Sequence, residues 1–427
     1  MLDIKYLKEH KTETLANNKN RGVVIDLELL FKLDEERNEF KHKVEGLRAE
    51  RNKRSKTKPT EEEIALMRKL GEEIAELEDI LAEKDEDITE ILLRLPNRTH
   101  SSVPVGKDES GNIVVKKVGE APVFNWQPKE HFELGESLKI IDLVTAAEVS
   151  GSRFAYIKGK LAQLEFALLN HAISILTNET KLQEIIKERD LKVTAKPFTL
   201  IIPPVMIRPD VMQKMGRLEP KEERYHIPSD DVYLVGSAEH TLGPIYMNKT
   251  LKESELPIRL LGFSTAFRRE AGSYGKDTKG IFRVHQFDKL EMESFTTPEI
   301  SEAEQDFFVA IQEYLMASLG VPYQVVLKCT GDMGQPDYRE FDIESWLPGQ
   351  GKYRETHTAD YMTDFQARRL GTRVKRATGE VEYAHMNDAT AYAIGRTLIA
   401  IMENGQTQDG HIKVPEALVK YCGFELI

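Results

Sequence analysis

Residues 267–293 read FRREAGSYGKDTKGIFRVHQFDKLEME, two extended-looking runs around a loop of Gly, Ser, Lys and Asp. Side chains alternate along a strand, so in the returning run Arg283, His285, Phe287, Lys289 and Glu291 share one face. Phe282, Val284, Leu290 and Met292 share the other. One face therefore packs and the other looks into a cleft. In the outgoing run Arg268 and Glu270 also share a face. A cleft lined with both signs of charge and one aromatic ring suits a ligand that is zwitterionic, phosphorylated and planar. A guanidinium can bind phosphate or carboxylate oxygens through two hydrogen bonds, and Phe287 can stack on a base. A surface ladder of cross-strand ion pairs is the other reading, and spacing alone leaves both open.

Around this hairpin the chain mixes amphipathic helices, at 160–176 and 300–319, with β-like runs at 200–202, 232–235, 265–269, 281–292, 323–327 and 339–344. The runs come as neighbouring pairs joined by short turns and not in βαβ order. That order predicts an α+β domain, an antiparallel sheet flanked by helices, over residues 120–427. Neither GxxxxGK[ST] nor a Rossmann glycine fingerprint occurs, so a nucleotide would be bound by another geometry. A polar stretch at 101–119 reads as a linker.

Residues 1–100 form a different pattern. Leu30, Leu33, Arg37, Phe40, Val44, Leu47 and Arg51 follow alternating steps of three and four. So do Met67, Leu70, Ile74, Leu77, Leu81, Lys84, Ile88, Ile91 and Leu95, which is coiled-coil spacing. Pro59 separates the two series, and Thr60 with Glu63 makes a capping box that restarts the helix. The expectation is an antiparallel two-helix coiled-coil arm over about 28–95, ending at Pro96 and Asn97. Near its tip RAERNKRSKTK supplies Arg48, Arg51, Lys53, Arg54, Lys56 and Lys58. Such a cluster suits a phosphate backbone, or is merely the solvated face of a coiled coil.

Composition narrows the class further. A chain of 427 residues with 40% hydrophobic content can bury a large core. No apolar run approaches the roughly 18–20 residues that span a bilayer. The opening MLDIKYLKEHK has neither a secretory nor an organelle-targeting character, so a soluble cytoplasmic protein without a membrane partner is expected. The two cysteines, Cys329 and Cys422, are too few for a disulfide framework. A net charge of −12 argues against indiscriminate nucleic-acid binding by the whole surface, though not against a local basic patch.

The hairpin resembles motif 2 of class II aminoacyl-tRNA synthetases, and specifically that of the seryl-tRNA synthetases. GESLKIIDLVTAAEVSGSRF (135–154), CTGDMGQPDYREFDIESWLPGQGKYRET (329–356) and the motif 3-like AIGRTLIAIMENGQ, with DGHIKVPEAL behind it, agree in order. With the arm and MLDIKYL, the likeness covers nearly the whole chain. It implies a serine–tRNA ligase that uses ATP and Mg²⁺ to form seryl-adenylate from L-serine. Serine then passes to tRNA(Ser), and to tRNA(Sec) where that exists. By the same resemblance Arg268 bridges the amino-acid carboxylate and the α-phosphate, and Glu270 holds the adenine amino group. Phe287 and Arg396 sandwich the ring, with Arg396 also near the γ-phosphate. Glu355 takes the metal, and Arg269, Thr356, His357 and Thr358 complete the ATP site. Glu291 accepts from the serine ammonium and hydroxyl and Thr390 contacts the serine side chain, while Ser237, Ala238 and Glu239 surround its amino group. The FTLIIPP segment, with Pro203 and Pro204, fits the motif 1 strand of a homodimer interface. The segment before it, 171–197, is longer and more irregular than that motif leads one to expect.

Three departures stand out. SAE replaces an expected TAE and keeps the hydroxyl. ETHTADY (355–361) replaces EISSCSN, retaining the carboxylate and one hydroxyl but bringing in His357, Asp360 and Tyr361. DAT replaces NGS or NAT, placing Asp388 beside the pocket, either as a tolerated neighbouring change or as a retuning of substrate choice. The alternative activity is a paralogue that activates serine or a related small amino acid for an acceptor other than tRNA. The loop 272–280 is expected to order over ATP and the tRNA acceptor end.

Overall fold

The computed structural model describes residues 1–54, 60–271 and 279–427. Two compact units result, Met1–Pro96 and Asn97–Ile427. Among the described residues no helix is long and apolar enough to cross a membrane.

In the smaller unit two long helices, Leu27–Arg54 and Glu61–Arg94, lie antiparallel. Leu30, Leu33 and Val44 of the first and Leu70, Ile74 and Ile88 of the second are buried along the heptad seam, while near its end Leu92 is buried in place of the expected Ile91. Arg37 meets Asp85 at 3.4 Å, Lys84 meets Glu36 at 2.6 Å and Arg48 meets Glu78 at 2.6 Å, so residue numbers rise on one helix as they fall on the other. At 1.5 Å per residue the first helix is about 42 Å long. The expected capping box is formed: the Thr60 hydroxyl accepts from the Glu63 N–H at 3.3 Å, and the Glu63 carboxylate accepts from the Thr60 N–H at 2.8 Å.

The larger unit is built on an eight-stranded sheet. Its strands are β1 (Ile113–Val118), β2 (Thr199–Ile201), β3 (Ile258–Phe267), β4 (Gln286–Thr296), β5 (Tyr323–Leu327), β6 (Arg339–Leu347), β7 (Lys352–Thr363) and β8 (His385–Ala393). Their spatial order is β1-β5-β6-β7-β8-β4-β3-β2, with every pair antiparallel except β2 with β3. The expected fold class is therefore found. The stretch 101–119 is not a linker: β1 lies within it and adds an edge strand to the sheet. Ile113, Val114 and Val115 there stay exposed, and Lys116 and Lys117 punctuate the edge, so its sequence lacks the alternation of a half-buried strand.

Helices Lys160–Leu176, Ser301–Ser318 and Ile394–Gly405 cover the back face, where Leu290, Met292, Ile343, Ala359 and Ala391 join one continuous core with them. The front face holds a smaller core around Leu260, Phe295, Met362 and Met386. Alongside it lies the charged row that the hairpin sequence announced. Extra residues at Ala391 on β8, opposite Leu290/Glu291, and at Thr356 on β7, opposite Ile343/Glu344, adjust which side chains face the front. The back helices reach into these gaps. Gln312 donates to the carbonyls of Thr358 and Thr390 at 2.6 and 2.9 Å, tying β7 to β8 where regular pairing lapses.

Candidate active site

The front-face cleft is lined by Arg268, Glu270, Phe282, Arg283, Phe287, Lys289, Glu355, Thr356, Thr358, Thr390 and Arg396, among others. About 640 Å³ of empty space lies within it, its open mouth included.

Arg268 stands just past the end of β3. Its backbone N–H donates to the His285 carbonyl at 3.0 Å, and its Nε to the Gly236 carbonyl at 3.1 Å. The guanidinium lies 5.4 Å from the Phe287 ring centre. Glu270 follows with φ of 52°, a left-handed backbone uncommon outside glycine. Its carboxylate accepts from Arg283 at 2.9 Å. The foot of the returning run is fixed from below: the Ile281 N–H donates to Nε2 of buried His131 at 3.1 Å. At the adjacent Gly280, with φ 74°, a Cβ would fall 1.9 Å from that same nitrogen. Only glycine fits there. Residues 272–278 of the expected mobile loop lie outside the described residues.

Alternation holds from Gln286 onward, where β4 begins, and not before. Phe282 and Val284, expected to face the core, are buried in it and also border the cleft, since 281–285 belongs to no strand. Phe282 lies under two guanidiniums, Arg354 at 3.9 Å and Arg396 at 4.7 Å. Sequence parity placed this second aromatic ring with the core and missed that it also borders the cleft. Arg396 sits in the first turn of the helix that continues β8, and its Nη1 reaches the Glu355 carboxylate at 2.7 Å. Burial works to raise the Glu355 pKa, but Arg396, Lys328 and Arg268 outweigh it and hold the group down at about 2. Glu355 is thus ionised at any working pH.

At the inner end of the cleft the Lys289 ammonium is 2.7 Å from Glu291 and 3.0 Å from the Ser237 hydroxyl. Thr390, paired with Glu291 across β8 and β4, places its hydroxyl 3.5 Å from the same carboxylate and 3.5 Å from that of Thr358. Gly262 pairs with Glu291 on the other side, and a Cβ there would come within 2.5 Å of Leu242. That missing side chain lets the segment carrying Ser237 and Glu239 close down on the sheet. Burial pushes the Glu291 carboxyl up to about 7, Glu239 adding to the effect while Lys289 opposes it. Glu239 is as buried, yet Lys289 and Arg217 keep it ionised.

Several expected site residues lie elsewhere. His357 pairs with Ile343 and sits on the back face, its ring 6.0 Å from that of Tyr392. Burial holds it neutral, with a pKa of about 3. Alternation along β7 turns Thr356 and Thr358 forward and His357 back, and the extra residue at Thr356 lets Glu355 face the cleft as well. Arg269 leaves the cleft: its N–H donates to the Glu223 carbonyl and its guanidinium lies 5.9 Å from Tyr225. Ala238 is fully buried in the smaller core. On the arm Arg48 is paired with Glu78 and Arg54 with Glu50, while Lys53 is exposed. Lys56 and Lys58 lie outside the described residues.

Behind the cleft, Asp337, Glu340 and Asp360 bring carboxylate oxygens within 4.8 Å of one another, a spacing that could hold a metal. Cations already stand there. Arg217 lies 3.1 Å from Asp360, 3.3 Å from Asp388 and 3.8 Å from Asp337, and Lys328 lies 2.9 Å from Glu340. Nothing in the sequence pattern singled out Arg217.

Comparison with known proteins places this geometry. The family described as the Seryl-tRNA synthetase N-terminal domain matches residues 1–99, and the tRNA synthetase class II core domain (G, H, P, S and T) matches residues 224–405. A serine–tRNA ligase of Rubrobacter xylanophilus is 36% identical over 100% of this chain and 99% of its own length. The solved seryl-tRNA synthetase of Pyrococcus horikoshii complexed with ATP superposes with a TM-score of 0.86 at 37% identity, covering 100% of this chain and 99% of that one. The cytoplasmic serine–tRNA ligase of Naegleria fowleri in complex with AMP gives a TM-score of 0.83 at 30% identity, covering 100% and 98%. The chain belongs to the seryl-tRNA synthetases, a family of class II aminoacyl-tRNA synthetases.

Proposed function

We propose that this enzyme condenses L-serine with ATP to seryl-adenylate and transfers the seryl group to tRNA(Ser). The observation that carries the reading is continuity. One cleft joins Arg268, Phe287, Glu355 and Arg396 to Lys289 and Thr390, which lead to Glu291.

Adenine stacks on Phe287 with Arg396 on its other side, and Glu270 takes the amino group. Serine is held at the inner end, its ammonium by Glu239, Glu291 and the Ser237 hydroxyl, its hydroxyl by Glu291 and Thr390. A serine carboxylate oxygen then bonds to the α-phosphorus as the bond to the bridging oxygen breaks and pyrophosphate leaves. No side chain acts as nucleophile. The protein supplies orientation, and Arg268 meets the charge that grows on the α-phosphate oxygens. Glu355, ionised and opening on the cleft, fits Mg²⁺, a hard cation that uses one or two carboxylates alongside substrate phosphates. When bound, the metal offsets phosphate charge. Alanine is rejected because its lack of a hydroxyl leaves buried Glu291 and Thr390 without a partner.

The arm is assigned to the tRNA body, through Arg48, Arg51 and Lys53, in a homodimer. ATP/pyrophosphate exchange tests the first step, and charging of tRNA the second. Serine should support exchange, and threonine, alanine and glycine only weakly; no serine-dependent exchange overturns the reading. Deleting residues 33–92 should abolish charging and spare exchange. Exchange by the intact chain without charging would favour the paralogue with another acceptor.

A further inference from the structure

Glu340, Asp360, Asp388 and Glu293 occupy mutually paired positions on four adjacent strands, β6, β7, β8 and β4. All four are at most 5% exposed. Like charges directly opposite one another destabilise a sheet, and buried carboxylates persist only when partnered or protonated. This row lies two residues along each strand from Thr358, Thr390 and Glu291. Whatever balances the row therefore bears on the inner end of the cleft.

Two of the row's members, Asp360 and Asp388, are the acids by which the sequence departs from the pattern it otherwise resembles. Both meet the same cation. Arg217 Nη2 bridges their carboxylates at 3.1 and 3.3 Å. The arginine is delivered from outside the sheet, after helix Pro209–Lys214 and a left-handed Gly216 with φ of 71°. Its carbonyl accepts from Arg224 Nε at 3.0 Å, which fixes the backbone under the strands.

We infer that Arg217 is a positioning residue for the amino-acid pocket, matched to Asp360 and Asp388, which it bridges one step behind Thr358, Thr390 and Glu291. This rests on the assignment of that end of the cleft to serine. Without Arg217, Asp360 and Asp388 lose their shared partner. Their repulsion is then relieved by spreading β7 from β8, which moves Thr358 and Thr390, or by uptake of protons. Glu239 also loses one of the cations that keep it ionised. Thr390 and Glu239 belong to the amino-acid end and adenine lies at the other end of the cleft, so the larger effect falls on the amino acid.

The test is pyrophosphate exchange with separate KM values for serine and ATP. Arg217→Met should raise the serine KM at least tenfold and leave the ATP KM within twofold. Combining it with Asp360→Ser and Asp388→Asn, which remove the charges it serves, should bring the serine KM back to within threefold of the parent. Equal rises in both KM values, or a triple variant no better than Arg217→Met, would overturn the inference. If Arg217→Met does not fold, the triple variant decides: soluble and active supports the match, whereas inactivity beside an active Asp360→Ser/Asp388→Asn double variant refutes it. Absence of exchange in the parent protein would instead sink the serine assignment, so the two failures are distinguishable.

Discussion

The arm and the cleft are built from the same four charged residue types, yet charge means different things in each. On the arm, Arg48–Glu78 and Arg54–Glu50 are ion pairs at the surface, where solvent and salt screen them and each contributes little to stability. In the cleft, Lys289 and Glu291 meet with less than a tenth of either side chain exposed, and burial lifts the Glu291 pKa to about 7. Exposed charge is exchangeable and acts collectively on a partner. Buried charge is individual, because each group's protonation depends on a named neighbour.

The sharpest way to break this contrast is Arg268→Ala. Removing one preorganised donor to transition-state charge costs about 10²–10³ in rate, and Arg268 is assigned to two charged groups at once. Serine-dependent pyrophosphate exchange should therefore fall by at least about 10³, measured as kcat at saturating serine and ATP. A second blow to the buried side is Glu291→Gln, which keeps the shape and removes the charge that faces the serine ammonium. A fall of about 100-fold in kcat/KM for serine is expected, with the ATP KM little changed.

The same residue supplies a pH test. The folded pKa of Glu291 is raised to about 7, so its acceptor form is lost as pH falls below that value. The kcat/KM for serine, which reports the free enzyme, should drop about tenfold per pH unit below 7. The Glu291→Gln variant should lack that limb. A parent profile flat from pH 8 to 5.5 would contradict the assignment.

On the exposed side, effects should be smaller and salt-dependent. Substituting Arg48, Arg51 and Lys53 together by Ala should raise the tRNA KM roughly tenfold at low salt and reduce the salt slope, since released counterions drive such binding. Exchange should not change. The least effect is reserved for Thr60→Ala, which removes a cap worth about 1 kcal/mol. It should be seen as faster amide exchange in the first turn of helix Glu61–Arg94, with aminoacylation unaffected.

Legibility followed the same division. The arm could be read because its seam is apolar at fixed spacing and its ends carry local chemistry, Pro59 and the Thr60–Glu63 box. Strand parity correctly put Phe287 and Lys289 into the cleft and Glu291 beside Lys289 at its buried inner end. It put Phe282 with the core, where the ring is buried, but missed that the ring also borders the cleft, because the strand begins only at Gln286. β7 and β8 went unread, since both are central strands whose front faces carry Thr358, Asp360, Asp388 and Thr390 in place of an alternating apolar pattern. His357 was misassigned for a related reason: an irregular step shifts parity by one, and sequence does not mark it. Arg217 was invisible because its meaning lies in residues more than 140 positions away, at Asp360 and Asp388.

The unbroken pairing of β4 with β3 from Gln286 onward carries a consequence for how such chains tolerate insertions and deletions. Adding residues before Gly280 lengthens a connection and leaves every side chain of β4 facing as it did. Adding or removing one residue between Gln286 and Glu291 reverses the strand. Leu290 or Met292 would then face the cleft, and a carboxylate would enter the apolar core behind it. The hairpin thus divides into a part where length is free and a part, only six residues long from Gln286 to Glu291, where the reading frame of facing is itself the functional trait.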